Sequence, residues 1–451
     1  MSIPIFEVQF DKDGNPVIPS QEKDIIQALT APGNSFTDVV VMSHGWNNDM
    51  DEARTLYRTF FGSLEQVFPA AAGKTLAIGI LWPSKKFADA DLISGGSASA
   101  ETDAVADRVL LDRLEELKHL FTDSEADEKL EQMKGLVAGL QSDTNKQNQF
   151  VSLLGAILDK HSDPVQRTPD EGVATISSRA QNEGGADLLK VFGQPVTQAV
   201  KPDDDGGAAG LGELGGNPAL RADGTGAAAG IDDFLSGIKA GALRLLNFTT
   251  YSTMKDRAGK IGRDAVNPLL QRIQAAVPDK LKFHLVGHSF GGRLVTATVD
   301  GQKPLRVQTL LLLQAAYSHN GLAAKFDPQD PSKSGFFHAV FDNRKVSGPI
   351  VITHSKNDRA VGLAYPLASR LNGDDAAGIG DANDRFGGMG ANGAQHVDTA
   401  DITLLEVGGG NYDFKTSGKS VFNVNGDAII TNHGDVARPE TAALLAGAMT
   451  L

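Results

Sequence analysis

Ser289 lies in Gly287-His288-Ser289-Phe290-Gly291-Gly292, surroundings able to turn a serine hydroxyl into a nucleophile. The segment separates a strand-like run, Leu281-Lys282-Phe283-His284-Leu285-Val286, from a helix-like run, Arg293-Leu294-Val295-Thr296-Ala297-Thr298-Val299. A strand that turns into a helix within one residue strains the backbone of that residue, and glycines two before and two after leave room for the turn. Such a serine stands exposed above the end of its strand. Gly-x-Ser-x-Gly strings also arise by chance, so the flanking strand and helix are what give this one weight.

Attack by a hydroxyl at neutral pH needs a base, an acid that orients the base, and donors for the developing oxyanion. The apolar run Pro349-Ile350-Val351-Ile352-Thr353 leads into His354-Ser355-Lys356-Asn357-Asp358-Arg359-Ala360-Val361, which places Asp358 after a late strand and before a helix expected near Val361. An aspartate there also suits a helix N-cap or a turn. The preceding strand, Val307 to Ala316, offers no rival, because no carboxylate follows it until Asp327. Two histidines come after Asp358. His396 lies in polar, glycine-rich sequence before a strand-like run, Ile402 to Val407. His433, the preferred base, lies in a short loop before a terminal helix that begins around Pro439-Glu440, where proline suits a first turn. The other eight histidines precede Asp358 and are read as surface or packing residues. Near the start, Asp38-Val39-Val40-Val41-Met42 reads as a strand ending in Ser43-His44-Gly45-Trp46-Asn47-Asn48-Asp49, and His44 is expected to fix the loop rather than to act as a base.

Over residues 5–85 and 245–451 these features resemble the α/β-hydrolase superfamily of esterase- and lipase-like enzymes. Similar hydrolases carry a helix such as Asp256 to Gly262 ahead of the nucleophile strand and an ending such as Asn425-Gly426-Asp427 followed by His433-Gly434-Asp435. The resemblance implies an α/β fold with a mostly parallel central sheet flanked by helices. It also implies a serine hydrolase that cleaves carboxylic esters through an acyl-enzyme on Ser289, with Asp358 and His433 completing a Ser-His-Asp triad. The oxyanion hole would be formed by the backbone N–H groups of Trp46, just after His44-Gly45, and of Phe290, with Gly287 and Gly291 supporting the turn. No cofactor and no metal is implied. A peptidase or amidase would use the same triad, and a non-catalytic binding module could use the same fold.

Composition bounds the remainder. A chain of 451 residues is longer than one such catalytic domain needs, so a large insertion is expected. A net charge of −14 disfavours nucleic acid and anionic membrane surfaces as partners, leaving a small-molecule or lipid ester as the expected substrate. No apolar run approaches the roughly 18 residues that span a bilayer. The N-terminus, Met1 to Asp11, lacks a basic region and a long apolar core, so a cytoplasmic location is expected. With no cysteine, disulfides and thiolate chemistry are excluded. The sequence shows no P-loop, dinucleotide fingerprint or His-Glu-x-x-His zinc motif.

Between the strand Leu76 to Trp82 and the strand at Leu281, residues 86–244 read as a helical, cap-like insertion. Three apolar stripes mark its helices: Val105, Leu110, Leu114, Leu117 and Phe121; then Leu130, Met133, Val137 and Leu140; then Phe150, Leu153, Leu154, Ile157 and Leu158. Residues 202–230, with 9 glycines in 29 positions, are expected to form a flexible loop. A second glycine-rich stretch, 372–395, contains Asp374, Asp375, Asp381 and Asp384; their spacing does not fit an EF-hand loop, and a solvated loop is expected.

Overall fold

The computed structural model describes residues 2–46, 48–84, 101–163, 165, 170, 175–194, 237–277, 279–358, 360–361, 386–415 and 417–451. The glycine-rich stretch 202–230, the four aspartates from Asp374 to Asp384 and the continuation of the helix expected at Val361 lie outside these residues.

One eight-stranded sheet organises the chain, in the order β1-β3-β2-β4-β5-β6-β8-β7, with every pairing parallel. The strands are β1 (Ile5–Gln9), β2 (Asp38–Ser43), β3 (Thr75–Leu81), β4 (Lys282–His288), β5 (Thr309–Leu313), β6 (Ile350–His354), β7 (Thr399–Thr403) and β8 (Val421–Asn425). β2, β3, β5 and β6 are largely apolar along their length because both faces of a parallel sheet are covered. Successive side chains point to opposite faces. Val39 and Val41 accordingly join the core beneath α1 (Ser20–Thr30), whereas Val40 and Met42 join the core beneath α2 (Met50–Val67). Asp49 starts α2 with a capping box, its carboxylate accepting from the Glu52 N–H while the Glu52 carboxylate accepts from the Asp49 N–H.

Register fixes where the loops emerge. One continuous row of paired residues crosses all eight strands: Val8, Ile80, Ser43, Gly287, Leu312, Ile352, Asn423 and Asp401. The carboxyl ends of the strands therefore align along one edge. From β2 the chain passes to β3 on one side and later to β4 on the other, and a crevice for ligands opens at the carboxyl ends where strand order reverses in this way. The loops after β2 and β4 flank it.

Between β3 and β4 run α3 (Glu101–Leu120), α4 (Ser124–Val137), α5 (Thr144–His161), α6 (Ile176–Glu183) and α7 (Gly185–Gly193). Each of the three expected stripes falls on one of the first three helices or just past its end, although the Val105 side chain lies outside the described residues. These helices share a core of their own, in which Leu114, Met133, Leu154 and Phe192 are fully buried. The next helix, α8 (Ile238–Ile261), belongs to both units: Leu245 and Leu246 pack into the helical core, while Tyr251, Met254 and Ala258 pack into the core against the sheet. The boundary expected at residue 245 falls inside this continuous helix. The chain then runs through α9 (Asn267–Ala276), α10 (Phe290–Asp300), α11 (His338–Asp342), α12 (Met389–Asn392) and α13 (Pro439–Met449). Among the described residues no helix is long and apolar enough to cross a membrane, and no group of three acidic or histidine side chains could hold a metal ion.

Candidate active site

Ser289 joins β4 to α10 and is buried, not exposed above the strand end as its place in the sequence predicts, because the loop after β2 packs over it. Its φ of 55° and ψ of −125° lie in a region few residues other than glycine adopt. The surrounding backbone imposes that conformation: the Ser289 N–H donates to the Leu313 carbonyl at 3.1 Å, and the Ser289 carbonyl accepts from Gly292 at 2.9 Å and Ala316 at 3.0 Å. The two flanking glycines are sterically required. A Cβ on Gly287 would lie 2.3 Å from the Gly291 carbonyl oxygen, and one on Gly291 would lie 2.2 Å from that of Ser43. Only hydrogen fits at either position.

The loop after β2 touches the serine. A Cβ on Gly45 would lie 2.6 Å from Ser289 Cβ and 3.1 Å from its Oγ. His44 holds this loop from within the core. Its Nδ1–H donates to the Gly45 carbonyl at 2.9 Å, its Nε2 accepts from the Trp82 N–H at 3.3 Å, and its ring stacks on Trp82 at 5.5 Å. Those two bonds fix the tautomer, and complete burial pushes the imidazole pKa down to about 4. His44 is thus a neutral loop anchor. Trp46 packs on the Phe290 ring at 6.0 Å, and Tyr251 of α8 packs on the same ring at 4.9 Å, which brings the helix shared with the insertion up to the site. Phe290 opens α10, so its N–H belongs to the first helical turn, where intrahelical acceptors are lacking.

Asp358 and His433 meet although 75 residues separate them: His433 Nδ1 lies 2.9 Å from both Asp358 carboxylate oxygens. The Asp358 side chain is fully buried and that of His433 is 19% exposed. With Nδ1–H donated to the carboxylate, His433 Nε2 carries the lone pair, the tautomer a base requires. Asp358 Oδ1 also accepts from the Val361 N–H at 3.1 Å, so the helix-capping and histidine-orienting uses of this aspartate coexist. His396 pairs elsewhere, its Nδ1 lying 2.8 Å from Asn320 Oδ1.

Two residues that the sequence did not single out tie the His433 loop to the serine. His288, next to Ser289, donates Nε2–H to the His433 carbonyl at 2.9 Å, and the two rings lie 4.9 Å apart. Gln314, buried at the end of β5 with φ 43°, donates to the neighbouring Asn432 carbonyl at 3.2 Å. Burial, reinforced by the nearby His433, pushes the His288 pKa down to about 3. Among the described residues the Ser289 hydroxyl makes no hydrogen bond, with His433 or any other group. Hydrogen bonds of this kind often tighten only around a bound substrate.

The fold and this cluster define an α/β protein with an eight-stranded parallel sheet and a strained serine at the carboxyl edge of a central strand. No family model, curated protein or solved structure matches the chain.

Proposed function

We propose that this chain is a serine hydrolase of the α/β-hydrolase type that cleaves carboxylic esters through an acyl-enzyme on Ser289. The observation that carries the reading is the convergence on one strand edge of a strained serine, a glycine loop packed against its side chain, and a histidine already oriented by a buried aspartate. In this mechanism His433 Nε2 takes the Ser289 proton as Oγ attacks the ester carbonyl. Asp358 holds the Nδ1–H and stabilises the imidazolium, and the N–H groups of Phe290 and Trp46 stabilise the oxyanion. The imidazolium then protonates the leaving alcohol, and a water deprotonated by His433 releases the acid. The helix α8, which carries Tyr251 against Phe290 and continues into the apolar core of the insertion, supports esters with an apolar acyl chain as the substrate class.

A fluorophosphonate probe tests this directly. Stoichiometric labelling at Ser289, lost in His433→Ala, is the expected result. A folded protein that resists the probe and hydrolyses no p-nitrophenyl ester would overturn the proposal.

A further inference from the structure

We infer that His288 is a positioning residue for the proposed base, holding the His433 backbone at the nucleophile through its Nε2–H. The inference rests on Ser289 and His433 acting as nucleophile and base. His433 reaches the site on a loop that begins at the end of β8, and its contact with Asp358 fixes the ring only from the β6 side. On the β4 side the His288 bond to the His433 carbonyl at 2.9 Å supplies the constraint, and it comes from the residue covalently bonded to Ser289. Any shift of the His433 loop away from the serine must break that bond.

The burial pattern supports a specific role over simple packing. His288 is only 7% exposed, and its Nδ1 is buried without a hydrogen-bond partner. Burying an unpaired nitrogen costs free energy that an apolar residue of similar size would avoid, so the bond from Nε2–H is what offsets it. The tilted packing of the rings at 4.9 Å adds a side-chain contact between His288 and the His433 imidazole to the bond its carbonyl accepts. Together these contacts leave the His433 ring little freedom to turn away from the serine.

The test compares His288→Met, which keeps volume but has no donor, with His288→Gln, whose amide nitrogen can still donate to the carbonyl. For p-nitrophenyl acetate hydrolysis, the methionine variant should lose on the order of 10-fold or more in kcat with KM nearly unchanged, because misplacing a base affects the chemical step. The glutamine variant should recover kcat to within about fivefold of the wild type. The rate of fluorophosphonate labelling should follow the same order. A methionine variant with kcat within about twofold of the wild type, or a glutamine variant as impaired as the methionine one at an unchanged melting temperature, would overturn the inference. If the methionine variant does not fold, the glutamine variant decides alone: a loss of more than about 10-fold in a fully folded protein refutes the positioning role. Failure of the wild type itself to label would remove the proposed function instead, so the two failures are distinguishable.

Discussion

Alanine at position 45 should separate the loop after β2 from Ser289, the proposed nucleophile, while leaving the Asp358–His433 pair in place. The added Cβ would lie 2.6 Å from Ser289 Cβ, 3.1 Å from Ser289 Oγ and 3.2 Å from the His288 carbonyl oxygen. Ordinary contact begins near 3.4 Å, so loop and serine must part by about 0.8 Å. Gly45 is not in the left-handed region, so the cost is contact and not backbone conformation. Displacement of about 1 Å at a reacting centre costs on the order of 10²-fold in rate, and loss of one oxyanion donor costs about 10² to 10³. We therefore expect kcat/KM of Gly45→Ala to fall on the order of 10²-fold, about 2.7 kcal/mol in the barrier. Overpacking should lower stability by about 1–3 kcal/mol. Gly62→Ala is the control. It lies on an exposed face of α2, an added Cβ meets nothing within 4 Å, and the change should raise stability by about 0.5–1 kcal/mol with activity unchanged. Steady-state kinetics on p-nitrophenyl acetate, probe labelling and thermal melts of both variants decide the matter. A Gly45→Ala enzyme within about threefold of wild type would refute an oxyanion role for the loop that carries Trp46.

Four further outcomes follow from the geometry. Ser289→Ala should abolish esterase activity, and Ser289→Gly should in addition be more stable than Ser289→Ala by about 1–3 kcal/mol, since glycine alone tolerates φ 55° with ψ −125°; equal melting temperatures would contradict the strain. His433→Ala should cost on the order of 10³-fold or more in kcat, whereas His396→Ala, which loses a bond to Asn320, should stay within several-fold; the reverse order would move the base. His44 and His288 are buried neutral with pKa values pushed down to about 4 and about 3, so the unfolded chain binds more protons between those values and about 6.5. Stability should be level above that window and fall as pH drops through it, by up to about 1.4 kcal/mol per pH unit for each histidine, and urea titrations of His288→Gln should show a shallower slope than the wild type; an identical slope would contradict the burial. Leu114→Ala, fully buried in the insertion core, should cost about 2–5 kcal/mol in a thermal melt, and a loss below about 0.5 kcal/mol would mean that this core does not hold the helices together.

The parts of the fold legible in the sequence were those with a local signature. The strands β2, β5 and β6 are built around unbroken apolar runs, β4 is marked by Phe283, Leu285 and Val286 leading into the Gly-x-Ser-x-Gly turn, and the glycines of that turn are sterically required. The strand β8 escaped notice because Val421-Phe422-Asn423-Val424-Asn425 contains two asparagines, a residue depleted in strands. The strand expected at Ile402–Val407 is in fact Thr399–Thr403, for β7 is a largely solvated edge strand and its pairing with β8 overrides the apolar run as a guide. His288 and Gln314 carried no signal because each binds a backbone carbonyl more than a hundred residues away, and a carbonyl has no residue identity to read.

The sheet order explains why the proposed base comes from a long loop after β8 and not from a strand end. Neighbouring strands lie about 4.8 Å apart, so His44-Gly45 after β2 and Ser289 after β4 are adjacent, whereas Asp358 after β6 stands two strands from Ser289, roughly 10 Å away. A carboxylate at that distance cannot bond the serine directly. Something must reach back over the end of β5, and the segment after β8 has the length to do so, since His433 lies eight residues beyond Asn425. Such a reach has to be pinned along its path. Asp358 pins it from β6, Gln314 from the end of β5, and His288 from β4 beside Ser289. The segment after β6 holds the loop with several hydrogen bonds, among them those of Asp358 to His433 and of Asn357 to Ile430, whereas the ends of β5 and β4 hold it through Gln314 and His288. Loosening the last of these should leave the imidazole oriented by its aspartate yet misplaced for the serine.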